Sequence, residues 1–328
     1  MKIPISLYNT TKNNESNKNE KNDNLLKKEI RILEFFSLND ANMSEYIRQH
    51  IPKYSKHFRP IQSHKIINST DQSINPTKYI LFNNQQHTNN NNKPVAIVDF
   101  FFQNTSNKKK QIYFFVQSFN QLLDTCSIMQ TNKIVHFNIC ADTIFFKQNK
   151  PILHNFSHSF HSENLDKERK SNLFLKYRPD LIQRPIPVHL LCYMCQNNLK
   201  SLSTGTIEHI FEDYIKSFAK YVYISEDFII EFKYSWMFSL QKLINRPFQE
   251  IFDEILKKSY LWDGYSVCML YLQLIIFLTK QCEKLSESIF IQNFIDILKK
   301  NLCVVSISEM KNSFSDLLVN MKRSDFIF

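Results

Sequence analysis

The residues best suited to chemistry lie in one stretch, NKIVHFNICADTIFFKQNKPILHNFSHSF, residues 132–160. Within it, His136, Asn138, Cys140 and Asp142 follow one another at short intervals. An imidazole or a carboxylate can transfer a proton, and carboxylate oxygens hold hard cations such as Mg²⁺. The amide of Asn138 has no useful basicity, so the segment offers few groups for acid–base or metal chemistry.

The hydrophobic pattern around these residues predicts short strands that position a tight polar loop. KIVHF, TIFF and PILHNF are strand-like, NICAD is a loop, and KQNK is a turn. We expect the loop to lie at an exposed edge, where functional residues often occur. His154 and His158 could bind a transition metal as a pair. No carboxylate or cysteine clearly joins them, which favours partly exposed loop histidines.

The glycine content excludes whole classes of nucleotide site. Only Gly205 and Gly264 occur in 328 residues, where average usage would give about 23. A glycine-rich phosphate loop of the dinucleotide-binding, Walker or kinase type cannot be assembled from two distant glycines.

The net charge of +10 permits contact with nucleic acid, anionic membranes or acidic proteins without choosing among them. No nucleic-acid-binding motif accompanies the lysines, so nucleic acid is possible as a partner but not favoured. The seven cysteines are odd in number and irregularly spaced, which indicates thiols of an intracellular protein. Cys192 and Cys195 have zinc-knuckle spacing without a second pair, which favours a helical core position.

The chain lacks a recognisable secretory signal, and the apolar run 267–278 is too short to span a bilayer. We therefore expect no membrane association and a buried helix at this position. Taken with the cysteines, this predicts an intracellular protein, in the cytoplasm or nucleus.

Composition divides the chain into regions. Residues 1–26 are predicted to be a disordered polar tail, and the Asn-rich run 83–92 a loop between the strands KYILF and PVAIVDFFF. KEIRILEFF is a further candidate strand, and MSEYIRQHI a helix ending before Pro52.

From residue 111 the chain is predicted to be mainly helical. An apolar stripe at spacings of three and four predicts one long helix, and a second such stripe lies in PFQEIFDEILKK. Ser306 and Glu309 have the spacing of a capping box ahead of a last helix. The stripes comprise Phe115, Phe119, Leu122, Cys126 and Met129, and Phe248, Ile251, Phe252, Ile255 and Leu256.

At this point a family resemblance becomes specific. The segment 132–160 resembles the catalytic core of eukaryotic-type serine/threonine protein kinases, and most of all the divergent kinases of large DNA viruses. The family pattern H-R-D-L-x-x-x-N corresponds to residues 136–143, and D-F-G to Asn155, Phe156 and Ser157. The run DGYSVCMLYL is similar to the helix whose aspartate braces the catalytic loop, which assigns that role to Asp263. Arg178, Pro179 and Asp180 stand loosely where A-P-E would be.

The resemblance implies a two-lobed, protein-kinase-like α+β fold. Residues 27–110 would form a reduced N-terminal lobe, and residues 111–328 a mainly helical C-terminal lobe with an insertion at about 195–260. The departures from the family pattern, however, remove its chemistry.

Each catalytic role of the family falls on an unsuitable residue. His136 and Asn138 stand at the base motif, where the missing carboxylate costs about 10²–10⁴-fold. Cys140 replaces the loop lysine, while Thr143 and Asn155 replace the two magnesium ligands. Neutral side chains are poor ligands for this cation.

The phosphate-gripping lysine is also missing. The best-aligned strand offers Leu33 or Glu34, with Arg31 nearby, and VAIV at 95–98 comes too late in the chain and ends in valine. Asp142 sits one place before the metal-binding position, where it would point away from a nucleotide.

These losses predict a pseudokinase that acts by binding and needs no cofactor. Its expected partner is a protein, such as an active kinase or a kinase substrate. One alternative is an atypical serine/threonine kinase that uses Asp142 with ATP and Mg²⁺. A second alternative is a basic structural or nucleic-acid-associated protein.

Overall fold

The computed structural model describes residues 2–4, 35–36, 38–51, 56–59, 64–68, 78–82, 95–103, 108–221, 225–281, 283–303 and 306–320. The predicted loop 83–92 lies outside these residues. Internal contacts divide the chain into two units, residues 1–93 with 154–159, and residues 94–153 with 160–328. This division places 94–110 with the helical unit, whereas the sequence had placed it with the N-terminal region.

The first unit contains a three-stranded antiparallel sheet in the order β1–β4–β3. Ile3 pairs with Ile80, and Ile80 also pairs with Ile66 on the other side. Its elements are β1 (Lys2–Pro4), helix α1 (38–50), β2 (Phe58–Arg59), β3 (His64–Asn68) and β4 (Lys78–Phe82).

Two predictions for this unit are confirmed, one needs correction, and the strand predicted for KEIRILEFF lies outside the described residues except for its last two positions. The predicted helix MSEYIRQHI is helical through residue 50 as the end of α1, and KYILF is β4. Lys2–Pro4 form a strand inside the tail predicted to be disordered, because the short apolar run around Ile3 finds a partner in β4. In KEIRILEFF, Phe35 and Phe36 are helical, and the Phe36 ring stacks on His158 at 4.4 Å. Tertiary contact overrides strand propensity there.

The second unit is mostly helical, and several of its short strands flank the polar loop NICAD, residues 138–142. The strands are β5 (Val95–Ala96), β6 (Ile134–Val135), β7 (Ile144–Lys147), β8 (Lys150–His154) and β9 (Phe160–His161). The helices are α2 (Ile97–Gln103), α3 (Lys108–Thr131), α4 (Lys167–Leu173), α5 (Ile186–Gln196), α6 (Thr204–Tyr221), α7 (Glu226–Gln241), α8 (Phe248–Leu256), α9 (Trp262–Gln281), α10 (Glu283–Ser286), α11 (Ile289–Asn301) and α12 (Ile307–Asn320).

The sequence PVAIVDFFF, predicted as a strand, is instead mainly helical. Only Val95 and Ala96 are extended, and α2 follows immediately. Ile97, Phe100 and Phe101 are all buried. Their spacing of three and four puts them on one helical face, so the helical period prevails over the high β-propensity of the run.

Helix α9 forms the centre of this unit, packed against α3 and α11. The predicted stripe on α3 is confirmed, since Phe115, Phe119, Leu122, Cys126 and Met129 are all buried. Tyr271 of α9 donates a buried hydrogen bond to the Ser118 hydroxyl at 2.6 Å.

The sequence predicted that the apolar run 267–278 is too short to span a bilayer. The longer helical segment Ser259–Lys280 is long and apolar enough to do so, which corrects that prediction. However, 83% of this apolar window is buried inside the protein. The segment therefore has the burial of a core helix.

The predicted capping box is confirmed, and a glycine in α9 also helps to anchor α12. Ser306 and Glu309 form the expected capping box, because the Ser306 N–H donates to the Glu309 carboxylate and the Glu309 N–H donates to Ser306 Oγ. Gly264 permits the close approach of α9 and α12. A Cβ atom there would meet Ile307 and Met310 at 3.2 Å.

Candidate functional site

The candidate site is the segment 136–143, called here the braced loop. Before it, β6 pairs with β9, and after it β7 and β8 form an antiparallel hairpin. The hairpin turn consists of Gln148 and Asn149, with φ of 51° and 60°. Both residues are left-handed, as a two-residue turn of the type I′ kind requires. The strands thus fix both ends of the loop without using a glycine.

Asp263, at the start of α9, holds the loop from its buried side. One carboxylate oxygen accepts from the His136 N–H at 2.7 Å, and the other accepts from the Phe137 N–H at 3.0 Å. Phe137 has a φ of 67°, an uncommon conformation for a bulky residue, so these bonds hold a strained backbone. Burial raises the pKa of Asp263 to about 6, even though both backbone bonds act to lower it.

The interior of the loop is hydrogen-bonded around Thr143. Its buried Oγ1 accepts from the Cys140 N–H at 3.0 Å and lies 3.0 Å from the carbonyl oxygens of Asn138 and Cys140. The Asn138 N–H in turn points at His136 Nδ1, 3.4 Å away. The Thr143 hydroxyl is therefore engaged within its own loop.

The side chains available at the loop surface carry little catalytic capacity. Asn138 and Cys140 are half-buried, and Asp142 is exposed on a single 3₁₀ turn, Ala141–Thr143. Across the described ranges, no group of three or more His, Cys, Asp or Glu side chains could hold a metal ion.

Sequence reasoning missed the contact between Arg184 and the loop. The guanidinium lies over the Phe137 ring, 4.5 Å from its centroid. Burial lowers the pKa of Arg184, and within the described residues its Nε has no hydrogen-bond partner. The sequence offered no signal for this contact, because the two residues are far apart in the chain.

The D-F-G-like turn, Asn155–Ser159, belongs to the first unit. Asn155 has a φ of 65°, and its amide oxygen accepts from the Ser157 hydroxyl at 2.7 Å. Helix α1 holds the turn with two buried polar residues that sequence analysis also missed. Asp40 accepts from the Phe156 N–H at 2.9 Å. Asn39 donates to the carbonyl oxygens of Ser157 and Ser159, at 2.7 and 2.8 Å.

The remaining candidates have local roles. Arg178 and Asp180 form a two-bond ion pair with each other at 2.8 and 2.6 Å, on the exposed surface. Cys192 is buried and Cys195 half-buried in α5. His158 stacks on Phe36, which accounts for one of the two flanking histidines without a metal.

A small, largely apolar cavity of about 50 Å³, partly open to solvent, lies between helices of the second unit. Its walls come from α5, α7, α8, α9, α11 and α12 and from the segment after α7, and include Trp236, Leu243, Ile255 and Met310. The cavity thus belongs to the helical part of the second unit.

Comparison with known proteins yields no family. No protein-family model matches the sequence, and no curated protein matches it. Among solved structures, the chain is similar to the pseudokinase PEAK1 (Sugen kinase 269), with 11% identity over 84% of this chain and 78% of that one. The TM-score is 0.25, which is too low for the likeness to establish a shared fold.

Proposed function

We propose that the protein is a catalytically inactive, protein-kinase-like protein that acts by binding another protein. The observation that carries the proposal is the braced loop. Its backbone is held by a buried aspartate at two N–H groups, yet the positions that would do chemistry hold an amide and an engaged hydroxyl. A kinase-like protein that lost its activity but kept its fold would retain the shape of this loop and lose its reactive side chains, as seen here.

Proton transfer is the first step that this loop cannot support. Asn138 stands where the kinase family has its catalytic carboxylate, and an amide does not accept a proton at neutral pH. Loss of a general base typically costs about 10²–10⁴-fold in rate. Asp142 is exposed and one position away from the metal-binding place, so it is a poor substitute.

Magnesium binding is the second step that fails. Thr143 Oγ1 already lies 3.0 Å from three polar backbone atoms of its own loop. Asn155 Oδ1 accepts from Ser157 in the other unit. To bind Mg²⁺, Thr143 or Asn155 would have to give up these hydrogen bonds. Each would then offer only an uncharged oxygen, whereas Mg²⁺ prefers carboxylates and phosphates.

A protein partner follows from the same argument, since a scaffold without turnover affects other molecules only by contact. We expect the two-lobed kinase arrangement, an intracellular location, and as partner an active kinase or one of its substrates. These statements rest on the sequence resemblance together with the braced loop.

The test is a thermal-shift measurement on the full chain with ATP, with and without Mg²⁺ or Mn²⁺. We expect no metal-dependent shift of the wild-type protein. A metal-dependent shift of several degrees would overturn the inactive assignment.

A restoring variant, Asn138→Asp/Thr143→Asn/Asn155→Asp, tests the kinase-like part separately. It returns the family's base and both metal ligands, while the phosphate-gripping lysine and the glycine-rich loop stay absent. A metal-dependent shift gained with ATP would support the kinase-like assignment of these three positions, whereas a shift with ATP that does not respond to metal would count against it.

A further inference from the structure

Helix α7 exposes an apolar stripe on its outer face, called here the α7 stripe. Ile230, Tyr234 and Phe238 are spaced by four residues and are 51%, 71% and 82% exposed. On the opposite side of the same helix, Phe232, Trp236 and Leu240 are buried. A helix normally buries one face only, and large aromatic groups aligned on the other mark an interaction surface.

The two ends of the α7 stripe carry opposite charge. At the start of the helix Glu226, Asp227 and Glu231 are exposed, and none forms an ion pair with a described residue. At the other end Phe238, Lys242 and Lys258 line one shallow surface depression. Lys242 is bonded to Glu254 at 3.0 Å, whereas Lys258 pairs with no carboxylate of the described residues. The surface therefore runs from acidic, through apolar, to basic.

This order of charges identifies the partner surface. The complementary surface must run from basic to acidic along the same line, with an apolar middle. The α7 stripe itself, rotated by a two-fold axis through Tyr234, has this order. Symmetric dimers use such self-complementary patches, in which residue i contacts residue j and j contacts i.

We infer that the α7 stripe is the interface of a two-fold symmetric dimer, with α7 antiparallel to α7 of a second copy. Tyr234 packs near its own symmetry mate, and Ile230 packs against Phe238 of the other copy. Asp227 lies about two turns before Tyr234, so it falls at the basic end of the partner, near Lys258. This dimer does not depend on the proposed function.

The size of the stripe sets the expected affinity. Its three side chains expose roughly 400 Å² per copy, about half of what a standard interface buries on each side. The charged ends add to this area. We therefore expect a reversible dimer with a dissociation constant on the order of 10 μM, weakened by salt because its end pairs are exposed.

Sedimentation equilibrium of the full chain tests the apolar part. Tyr234→Glu should raise the dissociation constant about 100-fold or more, since it places a charge at the centre of the interface. Tyr113→Glu is the matched control, because Tyr113 is an exposed tyrosine on α3 and should leave the dimer unchanged. A wild-type chain that is monomeric throughout, or a dimer indifferent to Tyr234→Glu, overturns the inference.

A charge exchange tests the two-fold arrangement. Asp227→Lys and Lys258→Glu should each weaken the dimer several-fold, because each leaves like charges opposed at both ends. The double variant should recover wild-type affinity, and an equimolar mixture of the two single variants should form a mixed dimer more tightly than either alone. If neither the double variant nor the mixture recovers affinity, the antiparallel pairing is wrong and the α7 stripe serves a different partner.

Discussion

The braced loop and the α7 stripe differ in how their side chains are used. At the loop, the side-chain oxygens of Thr143 and of Asp263 from α9 accept hydrogen bonds from the loop's own backbone, at 2.7 to 3.0 Å. On α7, Tyr234 and Phe238 remain mostly exposed and contribute little to the fold. The contrast teaches where function is to be sought. The polar side chains of the braced loop are engaged in holding its own backbone, whereas the apolar side chains exposed for contact with another molecule lie on α7.

The largest effect is expected from removing the brace. Asp263→Ala leaves two buried N–H groups without an acceptor, at about 1–3 kcal/mol each, so the free energy of unfolding at pH 5 should fall by about 2–5 kcal/mol. Asp263→Asn keeps one acceptor oxygen and should lose about half as much. Urea denaturation measures both. A loss below about 1 kcal/mol for the alanine variant would mean that the brace does not hold the loop.

The second effect is a pH dependence of the same brace. The pKa of Asp263 is about 6 in the folded protein, above the ordinary value of 3.8. The folded state therefore binds this proton more tightly than the unfolded state does. The stability contributed by the protonated, uncharged form of Asp263 is complete below pH 3.8 and is lost as pH rises through 6. The difference in unfolding free energy between wild type and Asp263→Asn should shrink by about 3 kcal/mol over this window. A difference that is flat or grows with pH would contradict this sign.

Thr143 offers a smaller perturbation within the loop. Thr143→Val keeps the shape but leaves the half-buried Cys140 N–H without its acceptor, so we expect a loss of about 1–2 kcal/mol in unfolding free energy. Thr143→Ser retains the hydroxyl and should lose less than about 1 kcal/mol. Equal losses for the two variants would indicate that the methyl group matters and the hydroxyl does not.

The smallest effect on stability belongs to the α7 stripe. Tyr234→Ser and Phe238→Ser should each change the unfolding free energy of the monomer by less than about 0.5 kcal/mol, because both side chains are exposed. The measurement requires dilute protein, since a dimer would add its own stabilisation. A loss of 2 kcal/mol or more would show that this face packs within the chain, which would remove the contrast with the loop.

The sequence was most informative where a local pattern repeats. The stripe on α3 and the Ser306–Glu309 capping box could both be predicted, because their partners lie one turn apart. The hydrogen bonds that Asp263 accepts could not be predicted from a local pattern, since they join residues 127 and 126 positions apart, and only the family resemblance had singled out Asp263.

Long-range contacts without a motif could not be predicted. The sequence shows no repeating pattern that would predict the contact of Arg184 with the Phe137 ring. The same holds for the hydrogen bond that Asp40 accepts from the Phe156 N–H. In the run 94–102, the residue types favour a strand, whereas the spacing of the apolar residues favours a helix. The helix forms because this spacing buries Ile97 and Phe101 on one face. The exposure of Tyr234 was equally unpredictable, because aromatic residues occur on both faces of α7.

The central claim is that the braced loop does not transfer phosphate. The most direct test incubates the purified full chain with ATP and either Mg²⁺ or Mn²⁺. It measures the phosphate released into solution, and it detects phosphorylated protein by mass spectrometry. We predict no turnover above that of buffer, and identical traces for wild type and Asp142→Ala. Phosphate transfer by the wild type that disappears in Asp142→Ala would contradict the claim and identify Asp142 as the base of an active enzyme.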